Sequence, residues 1–409
     1  MIYGAIDGML ETLDDPYTEL MRPDRFEDMK TETAQEFGGL GIFITIRDDK
    51  LTVIAPMAGT PAMEAGIQPG DRIEAIDGES TSEITRTSEA VKLLRGPKGT
   101  EVELTIGRRD ESFQVTIIRD DIPLKSVFKN RFEVSNKQVA YLNITNFGER
   151  TYNEVQQGLS DLHEQGFDGL VLDLRNNPGG LLTSAYQVAD KWISKGKIVY
   201  TKGRARGQDK EFPASASGTE GDYPMLVLTN QGSASGAEIV AGALMDHKRA
   251  IVAGDTTFGK GKVQSIFPLD DGSALKITTA RYYTPDGHLI EGQGIPPQVA
   301  FEQEYPDTGV RGEIEKLLRG DTILNFVQEN LEPAPGEVEE FIEELREQGF
   351  TIEDRYLRFY ISRQQRAMEG QTTLVDPATD QQLNRALDYF AETLDNSPWT
   401  VETALAEQE

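Results

Sequence analysis

Three short stretches in the middle of this 409-residue chain carry side chains that could attack a carbonyl carbon. The first is Gly232-Ser233-Ala234-Ser235-Gly236, which follows the apolar run Met225-Leu226-Val227-Leu228 and leads into a helical pattern from Glu238. A serine placed there sits at a helix N-terminus, where unpaired backbone N–H groups can hold a developing oxyanion. The second stretch is Thr257-Phe258-Gly259-Lys260-Gly261-Lys262-Val263-Gln264. A lysine in such an apolar, glycine-flanked setting can act as a base once burial has lowered its pKa, by up to about 3–5 units in known cases. The third, Leu172-Asp173-Leu174-Arg175-Asn176-Asn177-Pro178-Gly179-Gly180, ends a near-continuous apolar strand in a turn with exposed N–H groups. Nucleophile, base and oxyanion donors are the parts of a serine–lysine hydrolase.

Each stretch also has a plainer reading. A Gly/Ser/Ala-rich turn before a helix is commonly just an N-cap. Two serines compete: Ser233 suits the turn, whereas Ser235 abuts Gly236, whose N–H would be free. Gly179 or Gly180 could supply the second oxyanion donor, or the turn could simply join strand to helix. Asp173 and Arg175 read as a structural ion pair. If Lys260 begins a strand, Gln264 lies on the same face and can orient the amine without adding the charge that would raise its pKa. The run from Gly254 to Lys260 also fits the opening of a phosphate-binding loop. That reading fails because Gly261 replaces the magnesium-binding Ser or Thr, and because Val263–Pro268 alternates like a strand.

Composition removes other classes. The formal charge of −28 argues against nucleic-acid binding and fits solubility or a salt-rich habitat. There is no cysteine, which excludes thiol nucleophiles, disulfides and cysteine-held zinc. Any Ser-His hydrolase would have to use His163, His247 or His288, with His247 and His288 the candidates. No apolar run is long enough to span a membrane, and the start at Met1-Ile2-Tyr3 is not a signal peptide. The chain is expected to be cytoplasmic or to lack its export segment.

The positioning elements fall into four regions. Residues 1–36 read as short helices broken at Asp14-Asp15-Pro16 and Arg22-Pro23-Asp24. Residues 37–121 carry strands near Leu40–Ile46, Leu51–Ile54, Asp71–Ile76, Glu101–Ile106 and Ser112–Ile118, with short helices near Ala62–Ala65 and Arg86–Leu94. This module resembles a PDZ domain through Gly38-Gly39-Leu40-Gly41-Ile42, the run Gly59–Ile73, and Ile76-Asp77-Gly78. Residues 122–300 alternate strand and helix, the pattern of an α/β core with its site at strand ends. Residues 301–409 read as helical and charged, with helices at Glu337–Gln348 and Asp380–Leu394 and a break at Pro333, Pro335 and Gly336.

In this order and spacing the three stretches resemble the carboxyl-terminal processing peptidases, serine–lysine endopeptidases that carry a PDZ domain. The likeness extends to Gly8-Met9-Leu10, Leu13-Asp14-Asp15-Pro16-Tyr17 and Asp271–Gly287. It implies a mixed α/β core of crotonase-like character, a PDZ insertion, and helical N- and C-terminal regions. It selects Ser235, which lies 25 positions before Lys260 and so keeps the family interval. The implied roles are Ser235 as nucleophile, Lys260 as base, Gln264 as its orienter, and Gly236 with Gly179 or Gly180 as the oxyanion hole. No metal or cofactor is implied. Gly39, Leu40, Gly41 and Ile42 would bind the free, apolar C-terminus of a protein substrate. Arg95 could couple PDZ occupancy to activity, or be a solvated arginine. A homodimer or a regulatory partner would suit the apolar faces of the terminal helices, and the family is exported to the cell envelope. Two departures stand out: Gly236-Ala237 where Ala-Ser is usual, and Pro297-Gln298 where Pro-Asp is usual. The rival to an enzyme is a catalytically silent PDZ scaffold on the same fold.

Overall fold

The computed structural model describes residues 2–47, 49–109, 111–301, 308–320, 322–330, 334–368, 380–395 and 399–406; Pro333, part of the expected break, lies outside them. The chain forms two compact units. One comprises residues 1–35, 125–303 and 382–409; the other comprises 36–124 and 304–381. The stretch expected as one C-terminal region, 301–409, thus contributes to both.

The first unit is built on a six-stranded sheet in the order Val127–Val134, Lys137–Ile144, Gly169–Asp173, Met225–Thr229, Ile251–Gly254, Val299–Ala300. The first pair is antiparallel and all later pairs are parallel. Gly169–Asp173 and Met225–Thr229 are buried along their whole length, which explains their unbroken apolar runs. Helices Thr151–Gln165, Leu182–Asp190 and Gly236–Asp246 pack Val155, Leu159, Val188, Ile239 and Val240 into the same core as Leu142, Leu170 and Val227. Helix Gln381–Thr393 brings Phe390 against Gly169, where any side chain would collide with the ring. Parallel order puts the C-terminal ends of neighbouring strands side by side. The turns after Asp173, Thr229 and Gly254 therefore converge, and they carry the three chemistry-bearing stretches.

A second sheet of this unit centres on the strand Ala274–Tyr283. Lys262–Pro268 pairs along one edge of it, while Glu19–Met21 and Lys197–Gly203 share the other. The expectation of purely helical structure in residues 1–36 needs correcting here. Arg22-Pro23-Asp24 is not a gap between helices: Glu19–Met21 is a strand, and Pro23 is the first residue of helix Pro23–Ala34. Proline's fixed φ and missing N–H suit that first position.

The second unit contains the sheet Ile42–Arg47, Lys50–Pro56, Arg72–Ile76, Glu101–Arg108, Glu111–Ile118, with Glu79–Ser80 paired to its third strand. Helices Pro61–Glu64 and Thr87–Leu94 close a core of Leu51, Val53, Ile73, Leu104 and Ile106. A separate two-stranded ladder, Glu36–Gly39 with Asp120–Pro123, joins the two ends of this insertion. Helices Thr308–Arg319, Thr322–Glu329, Pro335–Glu347 and Asp354–Met368 form a second core around Leu317, Val327, Leu345 and Leu357. Among the described residues no helix is long and apolar enough to cross a membrane.

One buried cation organises the insertion. Arg119 donates to the Leu94, Leu93 and Glu101 carbonyls at 2.9, 3.0 and 2.8 Å and to the Thr100 hydroxyl at 3.1 Å. It thereby caps the end of helix Thr87–Leu94, where carbonyls lack partners and the dipole favours a positive charge. Gly96 is small because any side chain there would strike this guanidinium group. Arg119→Leu strands these acceptors, so we expect a loss of about 2–4 kcal/mol of stability in this unit, read by urea unfolding.

Candidate active site

The serine turn follows the strand Met225–Thr229, and Ser235 is the residue before helix Gly236–Asp246. Its backbone is held at φ 52° and ψ −108°, a region that costs a non-glycine residue of order 1–3 kcal/mol. Ser235 is the N-cap of that helix and pairs with Glu238 in a capping box, in which the Glu238 carboxylate accepts the Ser235 N–H. Ser233 has a structural role of its own. It is buried, its hydroxyl donates to the Leu174 carbonyl at 2.8 Å, and it accepts the Asn230 N–H at 3.0 Å. Ser233 thus ties the serine turn to the Gly-Gly stretch, whereas the Ser235 hydroxyl makes no hydrogen bond to another side chain among the described residues.

A carboxylate that the sequence reading passed over clamps the other side. Glu238 is fully buried one turn into the helix. Its Oε2 accepts the Ser235 N–H at 2.7 Å and the Lys260 N–H at 2.8 Å. Its Oε1 accepts the Gly259 N–H at 2.7 Å and the Thr257 hydroxyl at 2.5 Å. Burial pushes the Glu238 carboxyl upward, and the four donors pull against it. Thr257 Oγ1 in turn accepts the Ile295 N–H, which orients its hydroxyl toward the carboxyl, so three backbone N–H groups and one hydroxyl favour the charged form against its burial. The site is therefore built for the carboxylate. A second tie, from the Phe258 N–H to the Ser233 carbonyl at 2.9 Å, joins the same two loops. The signal in the sequence was Ser235-Gly-Ala-Glu238, a serine with glutamate three residues on before an apolar run.

Lys260 lies in the loop before the strand Lys262–Pro268 and is half-buried. Burial pushes its ammonium below the ordinary lysine range; Lys276 adds to that, and Glu238, Glu19 and Glu291 oppose it. The ammonium and the Ser235 hydroxyl share no hydrogen bond. Instead the ammonium faces the Tyr17 ring, 5.3 Å from its centroid. Gln264 corrects the strand argument made for it. Lys260 precedes the strand, which begins at Lys262, so strand alternation does not reach it and does not by itself put the two side chains on one face. The Gln264 amide meets the Thr278 hydroxyl at 3.5 Å.

Gly179 and Gly180 stand against the serine turn with φ of 99° and 141°. A Cβ on Gly179 would lie 2.7 Å from Ser235 Cβ and 2.8 Å from the Gly236 nitrogen; one on Gly180 would lie 2.1 Å from the Phe147 carbonyl oxygen. The Gly179 N–H donates to Asn177 Oδ1 at 2.8 Å. The N–H groups of Gly180 and Gly236 have no acceptor among the described residues. Gly236 suits its place, since a side chain there would press on the Phe147 ring. Asp173 and Arg175 form the expected buried pair at 2.6 Å, joined by the Tyr141 hydroxyl and Gln382. Gln298 keeps the function of an acceptor at its position: its Oε1 takes the Val252 N–H at 3.0 Å. The histidine rings are engaged elsewhere, His247 with the Lys197 carbonyl, His288 with the Gly294 carbonyl, and His163 with Glu220.

In the second unit, Leu40 is buried, and the tight turn at Gly41 (φ 74°) leaves no room for a side chain beside Thr60. Strand Ile42–Arg47 pairs only with Lys50–Pro56 and is an edge of its sheet. Arg95 is exposed, with its guanidinium 4.5 Å from the Phe37 ring centroid.

Residues 138–301 match the model of peptidase family S41, and residues 52–108 match the PDZ domain. The chain is 44% identical over 313 residues to a carboxy-terminal-processing protease of Bartonella bacilliformis, covering 75% of this chain and 71% of that one. It is 42% identical over 306 residues to a carboxyl-terminal-processing protease of Synechocystis, covering 74% and 71%. Among solved structures, a photosystem II D1 C-terminal processing protease matches at 32% identity and a TM-score of 0.47, covering 73% of this chain and 81% of that one. The fold and its sequence relatives define a serine-type peptidase with a PDZ domain. The chain belongs to the carboxy-terminal processing proteases of peptidase family S41.

Glu238→Gln would turn an amide NH2 toward two backbone donors and loosen both loops. We expect kcat to fall by at least about tenfold with KM little changed, because the loss of an acceptor costs about 1–3 kcal/mol at the loops that present the reacting groups. Steady-state kinetics on a fluorogenic peptide would read this.

Proposed function

We propose that this protein is an endopeptidase that engages the free C-terminus of protein substrates at its PDZ groove and cleaves them with a Ser235–Lys260 dyad. The observation that carries the reading is the single Glu238 carboxylate holding the backbones of both residues, with the Ser235 hydroxyl left uncommitted. With both main chains held on one carboxylate oxygen, the two residues lie close enough in the fold to act as a pair. Ser235 Oγ attacks the peptide carbonyl as neutral Lys260 takes its proton, and the ammonium then protonates the leaving amine. Water hydrolyses the acyl-serine with the same lysine as base. The N–H groups of Gly236 and Gly180 hold the oxyanion in both steps. Gln264 approaches the amine once Lys260 has turned toward Ser235.

Substrate selection rests on the edge strand Ile42–Arg47. The N–H groups of Leu40 and Gly41 have no acceptor among the described residues and can meet a carboxylate, and a peptide strand can add to the open edge beside helix Thr87–Leu94. Ile42 and Ile44, half-buried against the PDZ core, favour an apolar terminal residue.

Ser235→Ala and Lys260→Ala are each expected to abolish cleavage of an unfolded protein substrate, while binding of its C-terminal peptide persists. Amidating that C-terminus should raise KM and leave kcat nearly unchanged. Since neutral lysine is the active form, kcat/KM should rise with pH, with its midpoint below the ordinary lysine range because burial disfavours the ammonium. Cleavage by Ser235→Ala at the wild-type rate would overturn the dyad.

A further inference from the structure

Two lysine ammonium groups share one aromatic ring. Lys262 Nζ lies 5.1 Å from the centroid of Tyr17, and Lys260 Nζ lies 5.3 Å from it. Their situations differ in every other respect. Lys262 is matched by Asp15 at 2.8 Å and Glu291 at 3.4 Å. Among the described residues Lys260 has no ion pair and no side-chain hydrogen bond, and the ring is the close partner of its ammonium. The ring itself is well anchored. Asp15 accepts from Thr18 at 2.6 Å, Thr18 accepts the Thr278 N–H at 3.2 Å, and Glu19–Met21 is laddered to Ala274–Lys276. The Asp14-Asp15-Pro16-Tyr17 turn is thus fastened to the sheet beside the lysine loop.

We propose that Tyr17 is a positioning residue, whose ring holds the resting Lys260 ammonium away from Ser235 until substrate binding draws it off. The inference rests on Lys260 being the base. The negative face of an aromatic ring attracts a cation and offers nothing equivalent to a neutral amine. The ring therefore stabilises the charged form and delays the appearance of the active one. The other charges acting on this amine are Glu238, Glu19, Glu291 and Lys276, while Glu291, Lys262, Asp15 and Glu238 act on Tyr17. A change at position 17 also removes the ring from Lys262, whose pairs with Asp15 and Glu291 remain.

The test is the pH profile of kcat/KM for Tyr17→Leu and Tyr17→Phe, alongside the titration of the Lys260 ε-carbon followed by NMR. Leucine keeps an apolar cover and removes the ring face. Its profile and its carbon titration should both move to lower pH by about half a unit to one unit, with activity raised several-fold on the acid limb. Phenylalanine should reproduce wild type. If the leucine variant does not fold, pentafluorophenylalanine at position 17 keeps the ring's shape, reverses its polarity and should give the same downward shift. Curves that superimpose on wild type, or that move upward as they would if the ring were only a dry cover, overturn the proposal. Lys260→Ala separates the two ideas: full activity there would sink the lysine base, while the carbon titration would still report whether Tyr17 governs the amine.

Discussion

The arrangement of the candidate site depends on one buried carboxylate. Glu238 gathers the N–H groups of Ser235, Gly259 and Lys260 onto two oxygen atoms and adds the Thr257 hydroxyl. Two loops that leave different strands are thereby fixed to one point. Burying a charge is expensive unless its lone pairs are filled, and here all four are. That saturation holds Ser235 in a backbone conformation it would not adopt alone. It leaves the side chains of Ser235 and Lys260 outside the set of groups that the carboxylate holds.

Parts of this were legible in the sequence because they are local. The fully apolar runs at 169–173 and 225–229 announced strands covered on both faces, and the turns after them announced the site. Gly179 and Gly180 could be marked as close-approach positions, but the choice between their N–H groups required Asn177, whose side chain takes one of them. Ser233 and Ser235 were separable by the family spacing, and the structure supplies the physical reason in the Leu174 carbonyl that holds Ser233.

What the sequence did not reveal depends on tertiary pairing. A three-residue strand at Glu19–Met21 is too short for periodicity to show, and it exists because Ala274–Tyr283 offers it an edge. The Lys260–Gln264 argument assumed a strand that already includes Lys260, whereas the strand starts at Lys262, where the Ala274–Tyr283 ladder begins. Glu238 could be seen as half of a capping pattern, yet its bonds to Gly259 and Lys260 cross more than twenty positions of chain. Tyr17 and Lys260 are farther apart still, and no local rule joins an aromatic residue to a distant amine.

The ladder between Glu36–Gly39 and Asp120–Pro123 has a consequence for how such proteins diversify. It brings the entry and exit of the recognition module together, so the host chain sees the whole insertion as a closed loop of fixed width. A cassette with paired ends can be exchanged for one of different groove chemistry at little entropic penalty to the host. Recognition can then evolve at its own pace, leaving the hydrolytic machinery intact.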